Sequence, residues 1–173
     1  MDIKHLNDRR WYLARYNTIG RNRESLFLWL SEQNITSWTP LTVRKVKRQD
    51  SRSCYREKIL ALFPGYFFVL INFDIQPIST LRRHSAFIDI VKFNDGIKPV
   101  NKNIVDGLMK IYPDPVLNPG ASEALNAASD TWLTRAQYQY LLRLENTPQP
   151  ESRISLLLEL VSDAENRGFT ERL

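Results

Sequence analysis

Five apolar residues in an unbroken row, Phe67–Ile71 (FFVLI), constrain this chain more than any other feature. A strand that is apolar on both of its alternating faces has to be covered on both, so the run predicts a buried central strand with material above and below it. Phe67 and Val69 point to one side and read as core, while Phe68, with Tyr66 two residues before it, points to the other. From the residues alone, Tyr66 and Phe68 are open between core and contact surface.

The elements around this strand follow from pattern. WYLARY (Trp11–Tyr16) alternates and begins with aromatics, a strand by residue preference. GRNRESLFLWLSEQN then reads as a helix, with Leu26, Trp29 and Leu30 at helical spacing after Gly20. TVRKVKRQDSRSCYREKIL reads as two basic arms around Gln49–Arg52, a long exposed hairpin. A short helix over Ile78–His84, a strand over Ile88–Phe93 and a helix from NKNIVDGLMKIY, capped by Asn101 or Asn103, complete the first part. The order βαβββαβα predicts an α+β fold, with helices flanking an antiparallel sheet, over residues 9–112.

From Pro113 the composition shifts to PDPVLNPGASEALNAAS, a linker over 113–129. Residues 130–173 form a second module whose arms read two ways. Ile154, Leu157, Leu158, Val161 and Ala164 make a helical stripe, yet Ile154, Leu156, Leu158 and Leu160 make a strand face. In the first arm, Leu133, Ala136, Tyr140, Leu141 and Leu144 fit a helix, and Tyr138, Tyr140, Leu142 and Leu144 a strand. Local preference favours helix, with Pro150 suited to a first turn and Gly168 to an end. Two amphipathic helices cannot bury their stripes wholly on each other, so a third surface is required. A fixed hairpin that completes one static body satisfies that requirement as well as a movable one.

Charge is divided unevenly: residues 1–110 carry 19 Lys and Arg against 10 Asp and Glu, whereas residues 111–173 carry 5 against 9. The basic part suits a polyanion. Within the hairpin, Arg44, Lys45, Lys47, Arg48, Arg52, Arg56 and Lys58 form the densest cluster, which serves equally to protect a sheet edge. An enzyme is not expected. The histidines are His5 and His84, Cys54 is the single cysteine, and there is no glycine-rich phosphate loop or spaced metal-ligand set. Asp74, Asp89 and Asp95 show no spacing for paired acid–base work. No metal and no cofactor are expected. The N-terminal MDIKHLNDRR lacks an apolar run suited to a signal peptide, and no apolar stretch is long enough to span a bilayer, which predicts a cytosolic protein without a membrane partner.

ALFPGYFFVLI (Ala61–Ile71), preceded by WYLARY and a helix and followed by IDIVKF, resembles the N-terminal domain of the NusG family of transcription elongation factors, most closely the specialised RfaH-type paralogues, including plasmid-borne ones. The resemblance covers about residues 10–112 and continues weakly into TPQPESRISLLLEL. It implies binding to RNA polymerase and suppression of pausing and termination in selected operons. It also implies that the C-terminal module is either a helical hairpin masking the polymerase site or, once released, a small KOW-like β-barrel able to recruit a ribosomal protein.

Residue by residue, the resemblance implies an apolar site for the polymerase clamp helices at Tyr66, Phe68 and Phe93, with Phe63, Pro64 and Ile97 nearby. Ser79 and Thr80 would touch the opposite lobe. Arg82, Arg83 and His84, with Arg21 and Arg23, would face the non-template DNA strand, although a solvated basic surface explains them too. Tyr140, Leu141, Leu144, Ile154, Leu157, Leu158 and Val161 would form the interdomain surface. Two departures stand out: TRAQYQYLL lacks the glycine-rich start of the family barrel, and Leu60 occupies the position of an acid that pairs with the arginine matched by Arg153. A lock between the modules would therefore rest on apolar packing.

Overall fold

The structure, a computed structural model, describes residues 8–50, 54–94, 96–114 and 134–166. Beyond Pro113 and Asp114, the expected linker lies outside these residues, as do His5, Arg52, Asp95, Leu133, Gly168 and the Ala164 side chain. The elements in chain order are β1 (Arg10–Tyr16), α1 (Asn22–Glu32), β2 (Thr36–Trp38), β3 (Leu41–Lys47), β4 (Tyr55–Ala61), β5 (Tyr66–Ile71), α2 (Ile78–Leu81), β6 (Phe87–Ile90), β7 (Lys92–Phe93), β8 (Gly96–Ile97), α3 (Lys102–Ile111), α4 (Arg135–Glu145) and α5 (Pro150–Asn166).

The central sheet has the order β2-β5-β1-β6, with antiparallel neighbours, and the FFVLI run is an interior strand as its composition requires. Cross-strand pairs sort its two faces. Leu13 opposite Phe68 and Trp11 opposite Leu70 look one way; Ala14 opposite Phe67 and Tyr12 opposite Val69 look the other. The second face packs under α1 and α2 through Leu26, Leu30 and Leu81. The first packs under α3 through Ile104, Val105 and Leu108, and under the α4–α5 hairpin. The result is an α+β fold with helices on both sides of an antiparallel sheet.

Local chemistry explains the joints. Phe63–Tyr66 is a turn closed by a 3.0 Å bond from Tyr66 N–H to the Phe63 carbonyl, with Pro64 and then Gly65 at its centre. Gly65 has φ +86°, the left-handed value that a turn of this type needs at its third residue. Helix α1 ends where Asn34 takes φ +58° and Ile35 N–H reaches the Leu30 carbonyl at 2.9 Å. Asn101 caps α3, its side-chain oxygen accepting from Asn103 N–H at 2.7 Å. Pro150 opens α5, where no N–H is needed.

Three expectations are corrected in detail. The strand expected over Ile88–Phe93 is interrupted: β6 ends at Ile90, and β7 pairs with β8 in a separate ribbon. The helix expected to reach His84 stops at Leu81, and His84 turns back to accept from Ala86 N–H at Nδ1. Helix α4 leaves Ala136 exposed, so that residue is not on the buried stripe. Strand β2 was not expected, since three residues carry too little pattern.

Candidate functional site

The site begins at the sheet face that carries Phe68. Phe68 and Phe63 are completely buried, Phe93 is nearly so, and Tyr66 and Pro64 are half-buried at the rim. These aromatic residues belong to one continuous apolar cluster with Leu141 and Leu144 of α4 and Leu157, Leu160 and Val161 of α5. Tyr140, Ile154 and Leu158 pack against its margin. Tyr66 is further held by the Thr39 hydroxyl, which donates to its carbonyl at 2.9 Å, and by the Arg15 guanidinium 5.8 Å from its ring centre. Ile97 is not part of this surface: it is half-buried against the cluster on the opposite face of the sheet.

The buried stripe of α5 is Arg153, Leu157, Leu160 and Val161, rotated slightly from the one drawn by periodicity. Leu160 was missed because it also belongs to the competing strand pattern. The two helices are tied by Tyr140 Oη donating to Glu159 Oε1 at 2.8 Å, and their turn by the Thr147 hydroxyl donating to the Arg143 carbonyl at 2.6 Å. From the sheet side, Tyr112, just past α3, donates its hydroxyl to Glu145 Oε2 at 2.6 Å. Burial first, and then this bond to a carboxylate, push the Tyr112 phenol well above its ordinary pKa.

Arg153 is the exception in this apolar interface. It is only 8% exposed, and its Nε is buried without a hydrogen-bond partner among the described residues. Desolvation lowers its pKa; the positive charge of Arg44 acts in the same direction, against weaker support from Tyr112 and Glu151.

On the other side of the sheet, α2 and the start of α1 are brought together. Ser25 Oγ lies 3.3 Å from His84 Nε2, and the rings of Trp29 and His84 are 5.5 Å apart. Because His84 Nδ1 accepts from Ala86 N–H, the proton of the neutral ring sits on Nε2 and points at Ser25. Arg21 and Arg83 are exposed nearby in sequence, but Arg82 is engaged by Asp89 at 3.2 Å and Arg23 by Glu24 at 3.7 Å. Burial alone would raise the Asp89 pKa; the Ile90 N–H bond and Arg82 outweigh it and hold the carboxyl below its ordinary value. Ser79 is exposed and Thr80 half-buried on α2.

Residues 9–109, well over half of the chain, match the family described as NusG, transcription termination factor nusG. The chain belongs to the NusG family. No individual curated protein matches it. NusG-family proteins are non-enzymatic transcription factors that bind RNA polymerase, so polymerase is the general partner and transcription elongation or termination the setting. The match ends within α3, leaving the α4–α5 hairpin beyond the NusG match. Among the described residues, no group of three or more His, Cys, Asp or Glu is placed to hold a metal, and no helix is long and apolar enough to cross a membrane.

Proposed function

We propose that this NusG-family chain is an operon-specific elongation and antitermination factor of RfaH type that is closed at rest, its α4–α5 hairpin masking the surface that RNA polymerase needs. One observation carries the reading: Phe63, Tyr66, Phe68 and Phe93 share a single apolar cluster with Leu141, Leu144, Leu157 and Val161. Large aromatics make strong anchors for a partner helix, and a surface already filled by α4 and α5 cannot also hold the clamp helices. Binding then requires the hairpin to leave. Moving such an equilibrium from 1:99 to 99:1 takes about 5.5 kcal/mol of differential binding, which polymerase and a DNA signal supply together.

In the open form, Tyr66, Phe68 and Phe93, with Phe63 and Pro64, take the clamp helices, while Ser79 and Thr80 reach the opposite lobe. Bridging the cleft favours the processive enzyme. Arg21, Arg83 and His84 face the non-template strand, joined by Arg82 and Arg23 once their carboxylates give way; arginine suits both phosphate and unpaired bases. A released hairpin that became a β-barrel would give a ribosomal protein a docking edge. Circular dichroism of residues 130–173 discriminates: a helical spectrum removes that partner.

Deleting residues 115–173 tests the masking. Affinity for core RNA polymerase should rise by at least tenfold in a pull-down or anisotropy titration. Unchanged affinity would leave a static body in which the hairpin only completes the core.

A further inference from the structure

Positive charge gathers where α5 meets the base of the β3–β4 ribbon. Arg153 sits in the first turn of α5, its N–H bonded to the Gln149 carbonyl at 3.0 Å. The residue is buried, and its Nε has no hydrogen-bond partner. On the ribbon, register sets Arg44 directly opposite Lys58, two exposed cations on one face. Like charges placed directly opposite each other are destabilising. Arg44 acts on Arg153 as well, and its effect exceeds the support that either Tyr112 or Glu151 gives to the guanidinium charge. Glu151 is exposed in the same turn, while the Glu145 carboxylate accepts the Tyr112 hydroxyl at 2.6 Å. Among the described residues, none of the three cations has a carboxylate within ion-pair distance.

We infer that the joint between Arg153 and Arg44 is a binding site for a small phosphate-like oxyanion, which ties the helical hairpin to the ribbon. A guanidinium presents planar donors that match such an ion, and two cations around one anion replace mutual repulsion by attraction. The first turn of α5 adds donors of its own: Pro150 carries no N–H, but the N–H groups of Glu151 and Ser152 have no acceptor within the helix. Enclosure selects the occupant. Arg153 is only 8% exposed, so the joint admits a free ion and not the backbone of a polymer. Binding offsets the cost of burying an unpaired guanidinium. The consequence for polymerase rests on the masking proposed above; the binding itself does not.

Inorganic phosphate, exchanged for chloride at constant pH and ionic strength, is the probe. The full chain is compared with Arg153→Met, Arg44→Thr and, as a control for lost charge, Lys45→Thr, which lies opposite Glu57 on the other face of the ribbon. The melting midpoints of the parent and of Lys45→Thr should rise with phosphate. Arg153→Met should not respond, and Arg44→Thr should need more phosphate for the same rise. Threonine suits an exposed strand, so Arg44→Thr decides the matter should Arg153→Met fail to fold. An equal rise in every variant would reflect general exclusion of phosphate from protein surfaces or an adventitious ion only, and would overturn the site. ADP should give a smaller Arg153-dependent rise; an equal or larger one would overturn the restriction to a small free ion.

Polymerase titration separates the site from the masking. Phosphate at about ten times its dissociation constant should weaken apparent binding of the parent to core RNA polymerase by about elevenfold, the factor expected of a ligand held by the closed form alone. Arg153→Met should show no such change. A melt that responds through Arg153 beside a polymerase affinity that ignores phosphate would keep the site and refute the masking. A gain of affinity on deleting residues 115–173 beside a melt that ignores phosphate would keep the masking and overturn the site.

Discussion

Arg153→Met should close this protein more tightly, not open it. An arginine buried between a helical hairpin and a sheet invites the opposite guess, that it is a bolt whose removal frees the hairpin. Here no carboxylate lies within ion-pair distance of the guanidinium among the described residues. Its Nε is buried and unpaired, and the facing charge is Arg44. An unsatisfied buried polar group costs about 1–3 kcal/mol, and replacing a buried charge by a packed apolar side chain is often neutral or stabilising by about 1–4 kcal/mol. Methionine keeps the length of the aliphatic stem and adapts to the space beside Leu157. We therefore expect the closed form to gain about 2 kcal/mol, roughly a 30-fold change in the closed-to-open ratio.

If polymerase binds only the open form, apparent affinity falls by the same factor, because it scales with the competent fraction. The assay is a titration of core RNA polymerase with the full chain, parent against Arg153→Met, beside a thermal melt in which the variant should unfold higher. Tighter polymerase binding with a lower melting midpoint would refute the reasoning, since Arg153 would then be contributing to closure through a partner.

Three other changes probe separate links. Leu157→Ala removes a side chain only 1% exposed in the cluster between α5 and the sheet; a loss of about 2–5 kcal/mol is expected, read by chemical denaturation, with polymerase affinity rising rather than falling. Tyr112→Phe deletes the hydroxyl that reaches Glu145 and should cost about 1 kcal/mol. With Tyr112 intact, the raised phenol pKa stabilises the fold fully below about pH 10, the value in an unfolded chain. That contribution is lost as pH rises through the higher folded value, so the phenylalanine variant should show a shallower alkaline decline in its melting midpoint. Gly65→Ala meets no close atom, the nearest being Thr18 Cγ2 at 3.5 Å; only its φ of +86° is penalised, about 1–2 kcal/mol, visible as a lower melting midpoint with an unchanged circular dichroism spectrum.

What was legible in the residues was whatever depends on neighbours along the chain. The FFVLI strand and the aromatic-led β1 rest on local preference or period, as does a cap on α3 at Asn101 or Asn103, which the structure gives to Asn101, and Phe67 against Phe68 was sorted by alternation alone. Period left ISLLLELV open, because its leucines satisfy a period of two and a period of 3.6 together; residue preference and Pro150 favoured the helix that forms. Which side of that helix is buried was set by a surface lying elsewhere in the chain: the Phe68 face is covered by Leu157, Leu160 and Val161.

Charge behaves alike. Composition located the basic hairpin, yet pairing register between β3 and β4 separated Arg44 and Lys58 from Lys45 and Glu57. Nor did any local pattern reveal that Arg153 would be shut into an apolar joint with its Nε unpartnered among the described residues, or that Ile97 would turn to the far side of the sheet. Sequence by itself determined which segments become strands and helices wherever one periodicity stood alone. Tertiary structure decided which faces meet, because burial is a property of surfaces distant along the chain, and its energy is gained only when both are present.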